Sequence, residues 1–132
     1  MAYKSRELQA SILMNLKRYE ESFKIFSELR EKLERERQHF QYYRCLAVNY
    51  SSMAELCFVT KKYHESAKFC RKIFDLERRG LVYPYETAFA HSVMADIYGR
   101  KGQINQQLQE CWSFLEKTVG IGDENSCMAY TH

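Results

Sequence analysis

The chain has 132 residues, 45% of them hydrophobic and 28% charged, with a formal net charge of +3. That length fits one domain that buries its own core without disulfides or a structural metal. Only five glycines and one proline occur. Because strands and tight hairpins need frequent turn residues, this scarcity favours a few long helices. The composition therefore predicts an all-α fold.

Membrane, secreted and nucleic-acid-binding classes receive little support from the sequence. No apolar run reaches the ~18 residues that a membrane span needs, and the first segment carries Lys4, Arg6 and Glu7, unlike a secretory signal. Acidic and basic residues alternate, as in 28–37, and do not form the basic cluster of a nucleic-acid-binding protein. We therefore expect neither a membrane nor a nucleic-acid partner.

The cysteines and the motif content argue against a catalytic protein. Five cysteines occur without a CxxC pair, so we expect reduced thiols in a cytoplasmic protein, with Cys127 the most exposed. The sequence has no Gly-rich phosphate loop, HExxH or GxSxG. His91 is interpreted as a packed, hydrogen-bonded side chain. We therefore predict no enzymatic activity, no catalytic residues, no cofactor and no metal.

The chain aligns with itself. Tyr19 opens Tyr-Glu-Glu-Ser-Phe-Lys, and 44 residues later Tyr63 opens Tyr-His-Glu-Ser-Ala-Lys; a further 41 residues lead to Ile104. A small residue stands nine positions before each of these anchors, which indicates that two helices approach closely there: Ala10, Ala54 and Ala95. A period of this length is typical of stacked helical repeats.

Apolar residues recur at helical spacing on both sides of each anchor. In chain order, the predicted helices cover 3–15, 18–37, 40–60, 63–79, 84–101 and 104–119. The last of them has a wide stripe that runs from Ile104 to Leu115. Basic residues close the first helix of each unit, Gly80 and Gly102 suit left-handed cap positions, and Pro84 suits a first helical turn.

These helices form three predicted units within one domain, 1–119. The units cover 3–37, 40–79 and 84–119, and residues 120–132 are predicted to form a flexible C-terminal tail. Stacked pairs of this kind rotate slightly at each step. The predicted architecture is therefore a stack of three helix pairs.

The units resemble the tetratricopeptide repeat (TPR), whose second half has small, aromatic and apolar residues at fixed spacing. Two sets occupy those positions: Ala10, Tyr19, Ser22, Phe26 and Leu29, then Ala54, Tyr63, Ser66, Cys70 and Ile73. The period of 41–44 residues exceeds the family's 34. It is similar to the longer repeats of kinesin light chains and of the peptide-sensing domains in Gram-positive pheromone regulators, the Rap, Rgg and PlcR group.

The resemblance implies that the three helix pairs form a right-handed superhelical stack. It also implies a concave groove on the first helices that holds a protein or peptide ligand. Carried over to this sequence, its lining would be Glu7, Ser11, Asn15, Ser51, Glu55, Phe58, Val59, Ser92, Asp96 and Arg100. The acids recur at or near one equivalent position, which favours a basic or amino-terminal ligand. The alternative is that these carboxylates are simply solvated.

Two further functions stay open beside the protein- or peptide-binding scaffold. The chain is alternatively a peptide-sensing fragment of a larger transcription or signalling regulator, which would bind short free peptides. It is alternatively a self-associating structural module, since repeat stacks without polar end caps tend to associate. In that case a homodimer would form through outer residues such as Leu8, Ile12, Phe114 and Leu115.

Overall fold

The computed structural model describes residues 2–35 and 40–121. This part of the chain forms α1 (Ala2–Asn15), α2 (Tyr19–Arg35), α3 (Phe40–Val59), α4 (Tyr63–Arg78), a 3₁₀ turn (Pro84–Thr87), α5 (Ala88–Arg100) and α6 (Ile104–Ile121). The all-α prediction is confirmed. The observed bounds lie within two residues of the predicted ones, except that the fifth helix starts with a 3₁₀ turn and becomes α-helical only at Ala88. The α6 helix continues to Ile121, into the predicted tail. The predicted tail beyond Ile121, with Cys127, lies outside the described residues.

The helices pack in sequential pairs. The contacts within α1–α2, α3–α4 and α5–α6 are the most extensive, the intervening pairs α2–α3 and α4–α5 also touch, and α3 contacts α5. The buried residues form two clusters, one around Phe26 and Met53 and a larger one around Leu46, Ile73 and Ile97. Phe69 packs against both clusters and so joins the smaller cluster, from α1, α2 and α3, to the larger one, whose residues come mainly from α3, α4 and α5.

The same turn closes the first helix of every pair. A residue with positive φ lies two positions before each anchor: Lys17 at 63°, Lys61 at 65° and Gly102 at 74°. The next residue donates its backbone N–H to a carbonyl five positions earlier, at 2.9, 2.7 and 2.9 Å respectively. This is the hydrogen bond of the Schellman cap. Three identical turns at aligned positions support the alignment of the three units.

A buried hydroxyl joins the two helices of the first two pairs. Ser22 Oγ donates to the carbonyl of Ala10, and Ser66 Oγ donates to the carbonyl of Ala54, both at 2.7 Å. Both serines and both alanines have no exposed surface, so the predicted close approach at the alanines is confirmed. A larger side chain on either helix would separate the helices and break the bond.

The third pair replaces this hydrogen bond with a different fit. Gln107 stands where the other units have Ser22 and Ser66. A Cβ atom added to Gly99 would lie 2.5 Å from Gln107 Nε2, which is closer than atoms approach without a shift. The equivalent first-helix positions hold Met14 and Phe58. Gly99 thus leaves the space that the longer glutamine side chain fills.

Candidate functional site

The ten residues predicted to line a groove all lie on first helices. Glu7, Ser11 and Asn15 are on α1; Ser51, Glu55, Phe58 and Val59 are on α3; Ser92, Asp96 and Arg100 are on α5. None of them is buried. We call the side of α1, α3 and α5 that carries them the first-helix face. Its residues are therefore accessible to a ligand.

Three of these residues meet in one open depression of about 370 Å³. Phe58 comes from α3 and Asp96 and Arg100 from α5, and the depression is completed by Gly99 and Gln107. The other seven predicted residues do not line it. The depression therefore forms where two consecutive first helices meet the start of α6.

Among the described residues, Arg100 contacts aromatic rings and pairs with no carboxylate. Its guanidinium carbon lies 5.3 Å from the centroid of the Phe58 ring and 6.0 Å from that of Tyr63. These two rings are themselves 5.3 Å apart, centroid to centroid. Such cation–π contacts fix a guanidinium while leaving its N–H groups able to donate.

Asp96 is an exposed carboxylate that makes no hydrogen bond or ion pair with any other residue in the described part of the chain. Arg100 is four residues further on the same helix, yet its side chain turns to Phe58 and Tyr63. Glu55, at the aligned position on α3, is also exposed. The depression thus combines a fixed cation, an apolar ring and an available carboxylate, which can together recognise a polar chain.

Gly99 and Gln107 are the two lining residues that the sequence did not predict. The alignment of the three units does mark both positions as exceptions, since Gln107 replaces a serine of the other units and Gly99 replaces Met14 and Phe58. The two exceptions compensate each other only once α5 and α6 are packed together. Without that contact, each looks like an unrelated deviation from the repeat.

A polar network, which comprises Glu77, Thr87, His91, Glu110 and Lys117, joins α4, the 3₁₀ turn, α5 and α6. Lys117 Nζ is 2.6 Å from Glu77 Oε1, 2.8 Å from Thr87 Oγ1 and 2.7 Å from His91 Nε2. An ammonium can only donate, so Nε2 of this histidine accepts and its Nδ1–H donates to Glu110 Oε1 at 2.7 Å. The ring also stacks on Phe74. The predicted packed and hydrogen-bonded state of His91 is confirmed.

Two thiols are held in the protonated form. Burial raises the pKa of Cys57 to about 11, with a smaller contribution from Glu65, and raises that of Cys70 to about 12, with a smaller contribution from Glu110. A thiol must ionise to act as a nucleophile. Neither group is therefore a nucleophile near neutral pH.

The outer helices carry apolar stripes. Leu8 and Ile12 on α1, with Leu16 directly after it, are exposed. On α6 a second stripe comprises Ile104, Leu108, Cys111, Trp112 and Leu115, with Trp112 68% exposed. Most of this stripe borders a shallow depression of about 540 Å³. The predicted apolar stripe of α6 thus exists, but much of it faces away from α5.

Residues 2–35 and 40–121 contain no group of three or more His, Cys, Asp or Glu side chains arranged to hold a metal ion. None of the helices in these ranges combines the length and apolar character of a membrane span. Comparison with protein-family models, curated proteins and solved structures finds no match to this chain.

Proposed function

We propose that this chain is a protein-interaction module of TPR-like, superhelical architecture that binds an extended polypeptide segment along its first-helix face. The observation that carries the proposal is the depression in which Phe58, Asp96 and Arg100 meet. The resemblance of the sequence to peptide-binding repeats predicts these three positions, and the first helices α3 and α5 bring them together. The repeated turns at Lys17, Lys61 and Gly102 support the TPR-like assignment.

The chemistry of the depression favours a basic side chain or a chain amino terminus as the anchor. Asp96 supplies a carboxylate that pairs with no other described residue, and Phe58 supplies an apolar surface. The side-chain amide of Gln107 can both donate to and accept from a peptide backbone. Ser51 and Ser92, on the neighbouring turns of α3 and α5, extend this hydrogen-bonding surface along the segment.

Binding is tested with a set of eight-residue peptides that differ in the position of Lys or Arg and in whether the amino terminus is free. Melting temperature and fluorescence anisotropy are measured for each peptide. We expect selected basic peptides to raise the melting temperature. Asp96→Asn should weaken their binding about tenfold, because a charge-assisted hydrogen bond is lost.

Glu31→Gln is the matched control for Asp96→Asn. Glu31 is also an exposed carboxylate, but it lies on α2, outside the first-helix face. Its neutralisation should leave binding unchanged. Equal weakening by both variants would mean that only net charge matters. No response to any peptide would contradict peptide binding on this face.

Self-association is a second candidate function, favoured by the two exposed apolar stripes. The chain's one tryptophan, Trp112, is on the α6 stripe, so burial of this stripe should shift its emission to shorter wavelength as protein concentration rises. Light scattering on the same samples gives the mass. A dimer that responds to no peptide would favour this candidate over polypeptide binding.

A further inference from the structure

A second surface lies between α2 and α4, with α3 at its base. Two cavities of about 520 and 210 Å³ open there, and both are lined by Lys68 and Lys72. The two cavities therefore adjoin at these lysines, and we call them together the basic channel. No residue lines both the basic channel and the depression at Phe58. The cations of the channel are Arg30, Lys62, Lys68, Arg71, Lys72 and Arg79.

The basic channel concentrates the positive charge of the protein. Its six cations face three carboxylates, those of Glu34, Glu65 and Asp75, so its net charge is +3. The whole chain carries the same formal net charge. The formal charges of all other residues therefore sum to zero. A surface of this kind attracts negatively charged partners and accelerates their association.

Some cations of the channel form ion pairs within the described part of the chain and others do not. Lys72 Nζ is 3.8 Å from Glu34, and a guanidinium nitrogen of Arg79 is 3.7 Å from Asp75. Lys68 and Arg71 form no ion pair with any residue in the described ranges. They lie three residues apart on α4, on one side of the helix. These two side chains can therefore contact an acidic partner without the loss of an internal ion pair.

The aromatic rings of the channel are already covered by cations. Lys62 Nζ is 5.5 Å from the centroid of the Phe23 ring, while Arg30 and Lys72 lie 5.9 and 5.8 Å from that of Phe69. Single-stranded nucleic acids bind by stacking bases on open ring faces. Because cations occupy these faces, the channel fits an acidic polypeptide better than a nucleic acid.

The length of the channel also indicates a polymer. Lys62 and Arg79 lie just beyond the two ends of α4, which at 1.5 Å per residue are about 25 Å apart. An extended segment of about seven or eight residues covers that distance. A small anion would reach only one or two of the separated cations.

We propose that the basic channel binds an acidic polypeptide segment in an extended conformation, with Lys68 and Arg71 as its main contacts. This site is separate from the first-helix face and carries a ligand of opposite charge. The protein would then hold two segments at once, one on each side of α3. The proposal does not depend on peptide binding at Asp96.

The test uses the full chain and a fluorescein-labelled peptide of eight alternating Asp and Glu residues. Anisotropy is measured at about 50 and about 150 mM salt, because exposed ion pairs weaken as salt screens them. The double variant Lys68→Gln/Arg71→Gln is expected to reduce affinity about tenfold. The matched control, Lys24→Gln/Lys32→Gln, removes the same charge from exposed positions on α2 outside the channel.

The proposal is supported if the peptide binds, if added salt weakens binding, and if only the channel variant reduces the affinity. It is overturned if the peptide does not bind, or if both double variants reduce affinity equally. It is also overturned if an oligothymidine of equal charge binds more tightly, since the channel would then be a nucleic-acid surface. Circular dichroism of both variants confirms that a loss of binding does not come from unfolding.

Discussion

Lys17 and Lys61 adopt a backbone conformation that normally belongs to glycine. Their φ values of 63° and 65° match the 74° of Gly102 at the aligned position. A side chain with a Cβ atom costs about 1–2 kcal/mol in this region, whereas glycine tolerates it. The turn hydrogen bonds are the same in all three cases. The two lysines therefore carry local strain that the packed helices overcome.

Lys61→Gly should stabilise the protein. Removal of the strain outweighs the greater flexibility of glycine in the unfolded chain, so we expect the free energy of unfolding to rise by about 0.5–1 kcal/mol. Urea denaturation measures the change. Lys62→Gly is the adjacent control: this residue has a φ of −93°, so glycine gives no relief there and should destabilise. A loss of stability in Lys61→Gly would contradict the assigned turn.

Residue patterns predicted the turns and the buried alanines because both depend on local spacing. Gly102 was identified as a left-handed cap, and Ala10 and Ala54 as points of close helix contact, from the sequence alone. The sequence did not reveal the left-handed state of Lys17 and Lys61, because lysine has no preference for it. Only the alignment with Gly102 carries that information.

At the scale of elements, Lys117 adds specific hydrogen bonds to the packing of α6 against the rest of the protein. Its ammonium bonds Glu77 on α4, Thr87 in the 3₁₀ turn and His91 on α5. All three of its N–H donors are used. The α6 helix also places many apolar residues in solvent, so this network adds specific hydrogen bonds to the packing between α6 and α5.

Lys117→Met keeps the apolar stem and removes the ammonium. Glu77 and His91 lose a partner in a half-buried site, so we expect a loss of about 1–3 kcal/mol. Chemical denaturation monitored by circular dichroism gives the value. The double variant Lys117→Met/Glu77→Gln should recover part of the loss, because the unpaired carboxylate is removed as well. Equal stability of Lys117→Met and the unaltered protein would contradict this role.

Helix boundaries were predictable and the basic channel was not, for different physical reasons. Apolar periodicity is local, so α2, predicted at 18–37, is observed at Tyr19–Arg35. The basic channel brings Arg30 of α2 together with Lys68 and Lys72 of α4. Along the chain each of these residues has acidic neighbours, so the sequence alone indicates only an ordinary solvated helix face. Only the packing of α2 beside α4 brings the cations together.

At the scale of the whole molecule, the buried thiols make stability sensitive to alkaline pH. The pKa of Cys70 is about 12 in the folded protein, against 9.0 for a free thiol. The folded state therefore keeps a proton that the unfolded state releases. This contribution to stability is fully present below pH 9.0 and is lost as pH rises towards about 12.

Cys70→Ala isolates this contribution. We expect the unaltered protein to lose stability with rising pH more steeply than the variant, by at most about 1.4 kcal/mol per pH unit. The variant starts from lower stability because it leaves a small cavity, so the comparison uses slopes and not absolute values. Urea titrations at several pH values between about 8 and 11 give both slopes. Parallel curves would contradict proton retention by Cys70.

The fit between Gly99 and Gln107 makes the third helix pair non-interchangeable with its neighbours. If α6 were placed against α3, Gln107 would meet Phe58, which stands where α5 has Gly99. If α4 were placed against α5, Ser66 would leave the space beside Gly99 empty. The three pairs share one turn, yet a hybrid that shuffles second helices between them would either clash or pack loosely. The match between Gly99 and Gln107 thus determines which second helix can pack against α5.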